Sequence, residues 1–560
     1  MLRPIFFILF IFIPFFLEGL GIWVDRRIFL LYYSSIPSFF YIYTSFIFKK
    51  IKIPLMAGLL YFLFLFFSAI STLFFSLDKH VSFELFFLHY SSFLLFLFFY
   101  NFKKSTVLLS CYLPIILGFL FTVYSFLLPF FKSKGFTSLI PLFEKQFVFA
   151  SYTNHNHLGD FLGLLVLVTF YYLIHKKWSA LPFFLFFFGI MMLSFSRSAY
   201  LAFFIVFILI LFFYRKNIST LILPFVLFIL SLMLFATFII SIQVPINSPF
   251  YKIQTLLKTS LDVSPRETIS ARDIYFKQAF ISINKYPFFG IGSGNFLIAS
   301  KSNVISSNSS DSAHNIILEL ATEQGLFATI FFLLFIFLIT KHALTNSSLS
   351  GFLFLYLLIN FQTDYTYQVY SLFLFWIILS SLSYSEKNEI EASSSLYGLL
   401  CIVPLVILVC ISTSSLLLKI GNIEGANNWY PLSKDVYVSA IKKQDNKSSI
   451  FIARAEQIAP YDLNIIIESA NYYITKGNKQ KALSYYERVY SMNKLCSFYF
   501  IKRIYTLKKE VQSKKIADSF LKGVVLDYEH IFATDVLRKE FSNFCREEKI
   551  TPCLKIGWNE

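Results

Sequence analysis

The sequence predicts an all-α, polytopic membrane protein: a transmembrane helical bundle with a long extracytoplasmic loop and a C-terminal helical-repeat domain. Three observations carry that prediction. First, of 560 residues 57% are hydrophobic and only 14% charged, with 74 Phe and a mean hydropathy of +0.65. A soluble chain of this size carries far more charge. Second, the apolar residues come in runs of about 17–25, the length that crosses a bilayer core as helix. Barrel strands would alternate instead, so helices are the remaining way to satisfy the backbone in lipid. Third, from about Leu418 the composition turns soluble and the pattern amphipathic.

The N-terminus, MLRPIFFILFIFIPFFLEGLGIW, has a signal-like apolar core with no small-residue cleavage site after it, so it reads as a retained first span. Further runs start near Ile28, Ile53, Phe83, Thr106, Leu158, Ala180, Ala199, Thr220, Gly325, Ser347, Gln368 and Tyr397. The length rule gives about 12–13 spans. Lys49–Lys50–Lys52, Lys103–Lys104, Lys176–Lys177, Arg215–Lys216 and Lys341–His342 then fall on one side, which the positive-inside rule makes the cytoplasm. Asp25–Arg26–Arg27 falls on the other side and is the exception. This count puts the N-terminus inside the cell and the C-terminal region outside. It divides the chain into a membrane domain over residues 1–420 and an extracytoplasmic helical domain over 421–560.

Composition also excludes functions. The net charge of +17 is no nucleic-acid signal, because much of the Lys and Arg sits in short clusters between apolar runs. Of the six Cys, Cys111, Cys401 and Cys410 lie in apolar runs and pack as small hydrophobes. Cys545 and Cys553 could bridge in an oxidising compartment. There is no CxxC and no metal-type Cys/His spacing.

Polar chemistry is concentrated on the predicted outer face. Residues 132–157, the turn Ser194-Phe195-Ser196-Arg197-Ser198 and a loop over 243–324 all land there. A loop that long inside a compact membrane domain is the place to look for function. Arg197 joins two apolar runs. It reads as a snorkelling helix-end cation or as a phosphate-binding guanidinium, and the hydroxyls of Ser194, Ser196 and Ser198 favour anion binding. Arg272 opens an amphipathic segment, Asp273 to Ile283. Alone it is a solvated charge; with Arg197 on the same face it can clamp a diphosphate. Lys285 and Arg266 are weaker candidates. Gly290, Gly292 and Gly294 mimic a nucleotide fingerprint, but no strand precedes them, so a tight turn after Pro287 is the better reading. His314 stands at a loop-to-helix junction beside Asn315 and can take a proton near neutrality. Glu319 and Glu323 follow, either to orient the imidazole or to face water. Asn154-His155-Asn156-His157 reads as polar lining rather than as a metal site.

Tyr461 to Asn493 fits a tetratricopeptide helix pair, with Ala470, Tyr473, Gly477, Ala482 and Tyr486 at its small and aromatic positions. Arrays of this kind bind rather than catalyse.

Taken together, these pieces resemble the O-antigen ligase and polymerase superfamily of bacterial inner-membrane glycosyltransferases, which includes O-linked protein oligosaccharyltransferases. Thr153-Asn154-His155-Asn156 resembles its Asn-rich element, and Ser194-Phe195-Ser196-Arg197-Ser198-Ala199 its Ser-x-Ser-Arg element. Arg272 with Pro287 to Phe296 resembles the Arg…Pro…Gly-x-Gly-x-Gly-x-Phe block. Ala313-His314-Asn315 with Leu318, Glu323 and Gly325 resembles the His-Asn block. Ser198 departs from the more common Gly. The resemblance implies transfer of a glycan from a polyprenyl-diphosphate carrier to an acceptor hydroxyl on the outer face of the inner membrane, without metal or other cofactor. Arg197 and Arg272 would bind the donor diphosphate, and His314 would activate or position the acceptor. Asn154, Asn156, Ser196, Lys285, Asn315 and Glu323 would line the substrate. The acceptor would be lipid A-core or protein, or another lipid-linked repeat in a polymerase. The C-terminal helices would offer a surface to a protein partner. A transporter or flippase of lipid-linked sugar is the alternative of another class; it predicts mid-membrane charges and internal repeats, and the sequence shows few such charges and no inverted repeat.

Overall fold

The computed structural model describes residues 50–101, 118–120, 122–123, 155–194, 196–215, 226, 229–230, 266–302, 310–444, 447–492, 498–529, 543–544 and 546–547. The described residues are helical almost throughout. Among the described residues there are only two short strands, β1 (Lys50–Pro54) and β2 (Glu389–Ser393), paired antiparallel with Ile51 opposite Ala392.

The membrane helices are α1 (Leu55–Ile70, running on through a wide turn to Phe75), α2 (Lys79–Tyr100), α3 (His155–Ile174), α4 (Leu181–Leu193) and α5 (Arg197–Phe213). The polar loop supplies α6 (Arg266–Lys285), α7 (Phe296–Ser302) and α8 (Ile316–Glu323). Then come α9 (Gly325–Asn346), α10 (Leu349–Thr363), α11 (Tyr370–Ser383) and α12 (Ser394–Lys419). Five of these, α1, α2, α3, α9 and α12, are long and apolar enough to cross a membrane; α4, α5, α10 and α11 are shorter apolar helices. Each predicted run that falls among the described residues is one helix. The first run and those near Ile28, Thr106 and Thr220 lie outside them or nearly so.

Sequence explains where helices start. Asp78 caps α2 by accepting from Val81 N–H, Ser196 caps α5 through Ala199 N–H, and Ser348 caps α10 through Gly351 N–H. The spans hold together by shape. Lipid tails are as apolar as Phe, so dispersion contacts between interlocked rings replace the hydrophobic effect. Trp376 on α11 is fully buried, with ring centroids of Phe354 at 5.3 Å, Phe361 at 5.6 Å and Phe332 at 6.1 Å. One large core joins α1–α5 and α8–α12.

Helices joined by short turns, such as α1–α2, α9–α10 and α10–α11, reverse direction, which gives the bundle two ends. At one end Tyr214 Oη donates to Ser347 O (2.9 Å), Asn346 Nδ2 to Ser383 O (3.3 Å), and Tyr100 Oη to Glu389 (2.9 Å). Lys50, Lys52, Lys176, Lys177, Arg215 and Lys341 gather there, as the charge pattern predicts. The polar loop lies at the other end.

Beyond Lys419 the chain turns at Gly421 into shorter helices: α13 (Ile423–Trp429), α14 (Lys434–Lys442), α15 (Ser448–Ile458), α16 (Leu463–Thr475), α17 (Lys479–Met492), α18 (Phe498–Val511) and α19 (Lys514–Glu529). They pair in sequence, α14 with α15, α16 with α17, α18 with α19, around a core of their own. This layer is tied to the loop end: Lys434 Nζ lies 2.7 Å from Asp78 and 2.9 Å from Asp462, and α17 packs on α7. Burial alone would lower the Lys434 pKa, and the two carboxylates more than offset it, so the ammonium is held above its ordinary value. Cys545 and Cys553 lie outside the described residues.

Candidate functional site

The glycine turn builds the floor of the site. Gly290, Gly292 and Gly294 all have positive φ, at 66°, 89° and 76°, a region that costs other residues a Cβ clash. A Cβ on Gly290 would stand 2.4 Å from the Glu323 carbonyl oxygen, so the turn needs glycine for space as well as for torsion. Ile291 and Gly292 N–H donate to that carbonyl at 3.0 and 2.7 Å. Ser82 Oγ donates to Ser293 O (2.8 Å), and Asn295 Nδ2 to Ser82 Oγ (3.0 Å), which pins the turn to the first turn of α2. The tight-turn reading of this stretch is the one the backbone displays.

From this floor α8 rises with His314 just before it. Asn315 is the N-cap: its Oδ1 accepts from Ile317 and Leu318 N–H, both at 3.0 Å, and its Nδ2 donates to Gln362 O at 3.1 Å. Glu319 is buried and accepts from Ser312 Oγ (2.8 Å), Ala313 N–H (2.9 Å), Gln368 Nε2 (3.0 Å) and the Tyr367 hydroxyl. Burial pushes its pKa up, and these four donors act against that rise. The result is a rigid 312–314 turn. His314 sits in it with φ at 54°, a left-handed conformation uncommon for a side-chain-bearing residue. Such strain persists only where the surroundings over-determine it.

The His314 imidazole meets a carboxylate that the sequence reading did not single out. Asp364, between α10 and α11, is 1% exposed in its side chain. His314 Nδ1 is 3.2 Å from its Oδ1, Tyr365 N–H donates to Oδ1 at 2.8 Å, and Asn156 Nδ2 donates to Oδ2 at 3.0 Å. Arg272, in the first half of α6, places a guanidinium nitrogen 3.8 Å from the same Oδ2. Burial raises the Asp364 pKa, but the His314 hydrogen bond, the Tyr365 N–H and the charges of His314 and His157 outweigh it, so the carboxyl is held below its ordinary value. An ionised Asp364 can only accept, so Nδ1 is the donor in this pair. Tyr275 stacks on the imidazole at 5.3 Å, and the Tyr365 ring stands edge-on to it at 4.8 Å. The ring is thus fixed on three sides. The carboxylate that orients the imidazole is neither Glu319 nor Glu323.

Asp364 therefore gathers three of the residues singled out from the sequence: Arg272, His314 and Asn156. Arg197 opens α5 at the same end, its side chain exposed. Ser196, buried, accepts from Ala199 N–H at 3.3 Å and lies 3.1 Å from Ser198 Oγ. Glu323 is buried under the turn, where its Oε1 accepts from Phe296 N–H at 3.0 Å. Lys285 is exposed at the far end of α6, thirteen residues and so about 20 Å along the helix from Arg272; it stands over the Tyr286 ring at 5.3 Å. Asn154 lies outside the described residues.

Asp364 had a faint signal. Asn360-Phe-Gln-Thr-Asp364-Tyr-Thr-Tyr-Gln368 is a polar and aromatic island between two apolar runs, with one acid inside it. Read as a mere connection between spans, it hides the group that organises the site.

Five helices fit to cross a membrane, with a fixed His–Asp–Arg group at one end of the bundle, describe a multi-pass membrane protein with a charged cluster at that end. Residues 182–333 match the Wzy_C family, described as O-Antigen ligase. That match supports a relation of this segment to the O-antigen ligase superfamily. The match runs from α4 into α9 and includes Arg197, Arg272, the glycine turn and His314. No curated protein and no solved structure matches the chain.

Proposed function

We propose that this protein transfers a glycan from a polyprenyl-diphosphate carrier to an acceptor hydroxyl at the outer face of the bacterial inner membrane. The observation that carries this reading is the shared use of one buried carboxylate: Asp364 holds both the Nδ1 of His314 and the guanidinium of Arg272.

In this reading Asp364 keeps His314 in the tautomer with Nε2 as base, the logic of a carboxylate–histidine pair. Nε2 takes the acceptor's hydroxyl proton as its oxygen attacks the anomeric carbon of the donor. The bond from that carbon to the diphosphate oxygen breaks, and the diphosphate leaves on its lipid. Its developing charge is met by Arg272 and Arg197, whose forked donors suit phosphate oxygens. No metal is invoked, and activity that survives a chelator is expected. Asn156, Ser196, Asn315 and Glu323 shape the site rather than react, and Lys285 serves the donor only at a distance from Arg272.

The basic cluster at the end opposite the site supports an N-terminus in the cytoplasm and a site outside. The C-terminal helices would then be an extracytoplasmic, tetratricopeptide-like domain over 421–560 that engages a protein, either as acceptor or as assembly partner. Lipid A-core and a growing glycan are the other acceptors.

The test is transfer in proteoliposomes. Purified protein receives labelled polyprenyl-diphosphate glycan with lipid A-core, secreted proteins or more donor. The expected result is transfer to one acceptor class, lost in His314→Ala and Arg272→Ala. Donor moved across the bilayer with no transfer to anything would replace this reading with a flippase.

A further inference from the structure

A second buried acid sits one helix away from the reaction group. Asp160, in the first turns of α3, is 0% exposed, as are its neighbours Asn360 and Thr366. An isolated buried carboxylate is costly and is kept only where its lone pairs are used. Here both oxygens are used. Thr366 Oγ1 donates to Oδ2 at 2.5 Å. The Asn360 amide, oriented so that its nitrogen meets acceptors, donates to Oδ1 at 3.1 Å and also to the Ser198 carbonyl at 3.0 Å.

The two branches end at different halves of the site. Thr366 lies two residues after Asp364, in the short helical turn that carries it. Ser198 follows Arg197 in the first turn of α5. Gly159, beside Asp160, brings α3 so close to this turn that a Cβ there would be 2.5 Å from Ser194 Oγ and 2.6 Å from Ser196 Cβ. The two hydrogen bonds of Asp160 go to neither His314 nor the two arginines of the site.

We infer that Asp160 is a positioning residue: one buried carboxylate ties the start of α5 to the Asp364 turn and so sets the spacing between Arg197 and the Arg272–His314 group. Its catalytic meaning rests on the transfer reading above; its structural meaning does not. If two cations must close on one diphosphate, their separation has to be held to a fraction of an ångström, and interlocked buried hydrogen bonds do that where single exposed ones do not.

The test uses the full chain in nanodiscs and reads amide hydrogen exchange in two segments, residues 196–200 and 364–368. Asp160→Asn should speed exchange in both, on the order of tenfold. Asn360→Leu should speed the first alone, and Thr366→Val the second alone. Thr169→Val, a buried hydroxyl further along α3, should move neither. An Asp160→Asn variant that loosens only α3, or only one of the two segments, overturns the inference. The single-branch variants keep the test alive if the Asp160 variant fails to fold. A second arm is a double-mutant cycle in the transfer assay. Asp160→Asn should cost little once Arg197 is Ala, whereas a merely structural role gives losses that add. If the wild type transfers nothing, the transfer reading falls, and the exchange result still decides the coupling.

Discussion

The two ends of the bundle both carry ion pairs, and they use them in opposite ways. At the end away from the site, Lys50 meets Glu391 and Lys52 meets Glu389, each at 2.7 Å, across the β1–β2 pair. At the site end Asp364 holds Arg272 and His314, and Lys434 sits between Asp78 and Asp462. Bond length does not separate the ends, since Lys434 to Asp78 is also 2.7 Å, yet the charges at the first end stand in water: the side chains of Lys50 and Glu391 are 68% and 51% exposed. Water screens such pairs until little is left. Asp364 is 1% exposed and Asp78 is 4%. Removing a partner there leaves a charge that water cannot reach. Short distance does not mark the important pair; burial with several donors does.

The largest effect that follows is on the chemistry. His314→Ala and Asp364→Asn should each lower glycan transfer by roughly 10²–10⁴-fold, the range for loss of a positioned acid–base group. The double variant should lose no more than the worse single, because the two act as one unit. Steady-state transfer in proteoliposomes is the measurement. Two losses that multiply would separate His314 from Asp364 and undo the pairing.

Next comes the tie between layers. Lys434→Met leaves Asp78 and Asp462 facing each other without a cation. It should destabilise the packing of the C-terminal helices by about 2–4 kcal/mol, somewhat under the usual range for breaking a buried pair because Lys434 keeps some exposure. Limited proteolysis within α13–α16 should then run faster while donor binding is unchanged. Wild-type resistance in Lys434→Met would show that the packing of α17 on α7 is enough by itself.

The sequence made a good part of this legible. Nine apolar runs became nine helices, because a run of that length has one way to satisfy its backbone in lipid. The Ser194–Ser198 turn and the glycine turn were readable, since caps and positive-φ glycines leave local signatures. Arg272 and His314 could be named, yet the reason they meet could not. That reason is Asp364, fifty residues beyond His314 and brought back by two helices whose packing carries no local signature. Asp160 and Asn360 were hidden in the same way, as single polar letters in apolar runs. Lys285 shows the reverse limit: near in sequence to Arg272, it is carried off by the rise of one helix.

A smaller and sharper effect should appear with pH. Asp364 has its pKa lowered in the folded chain, so its ionised form stabilises the fold. That contribution is complete above the ordinary carboxylate value near ~4 and is lost as pH falls through the lower folded value. The stability gap between wild type and Asp364→Asn, read by thermal unfolding, should therefore be constant from neutral to mildly acidic pH and close only below that value. A gap that closes already at mildly acidic pH would assign the effect to a group other than Asp364.

The smallest effect belongs to the other end. Lys50→Ala removes a 2.7 Å ion pair and should leave both the unfolding temperature and glycan transfer unchanged within error. Its ammonium is held above its ordinary pKa, first by the hydrogen bond to Glu391 and then by that carboxylate's charge, but a group so exposed is rehydrated at little cost when the partner is lost. The β1–β2 ladder keeps its backbone hydrogen bonds without it. What Lys50→Ala can change is orientation, since Lys50 belongs to the cluster that marks one side of the membrane. A glycosylation-tag map of the variant would read that separately. A clear fall in unfolding temperature, with topology intact, would mean that the exposed pairs carry structure after all and that burial is not what divides the two ends.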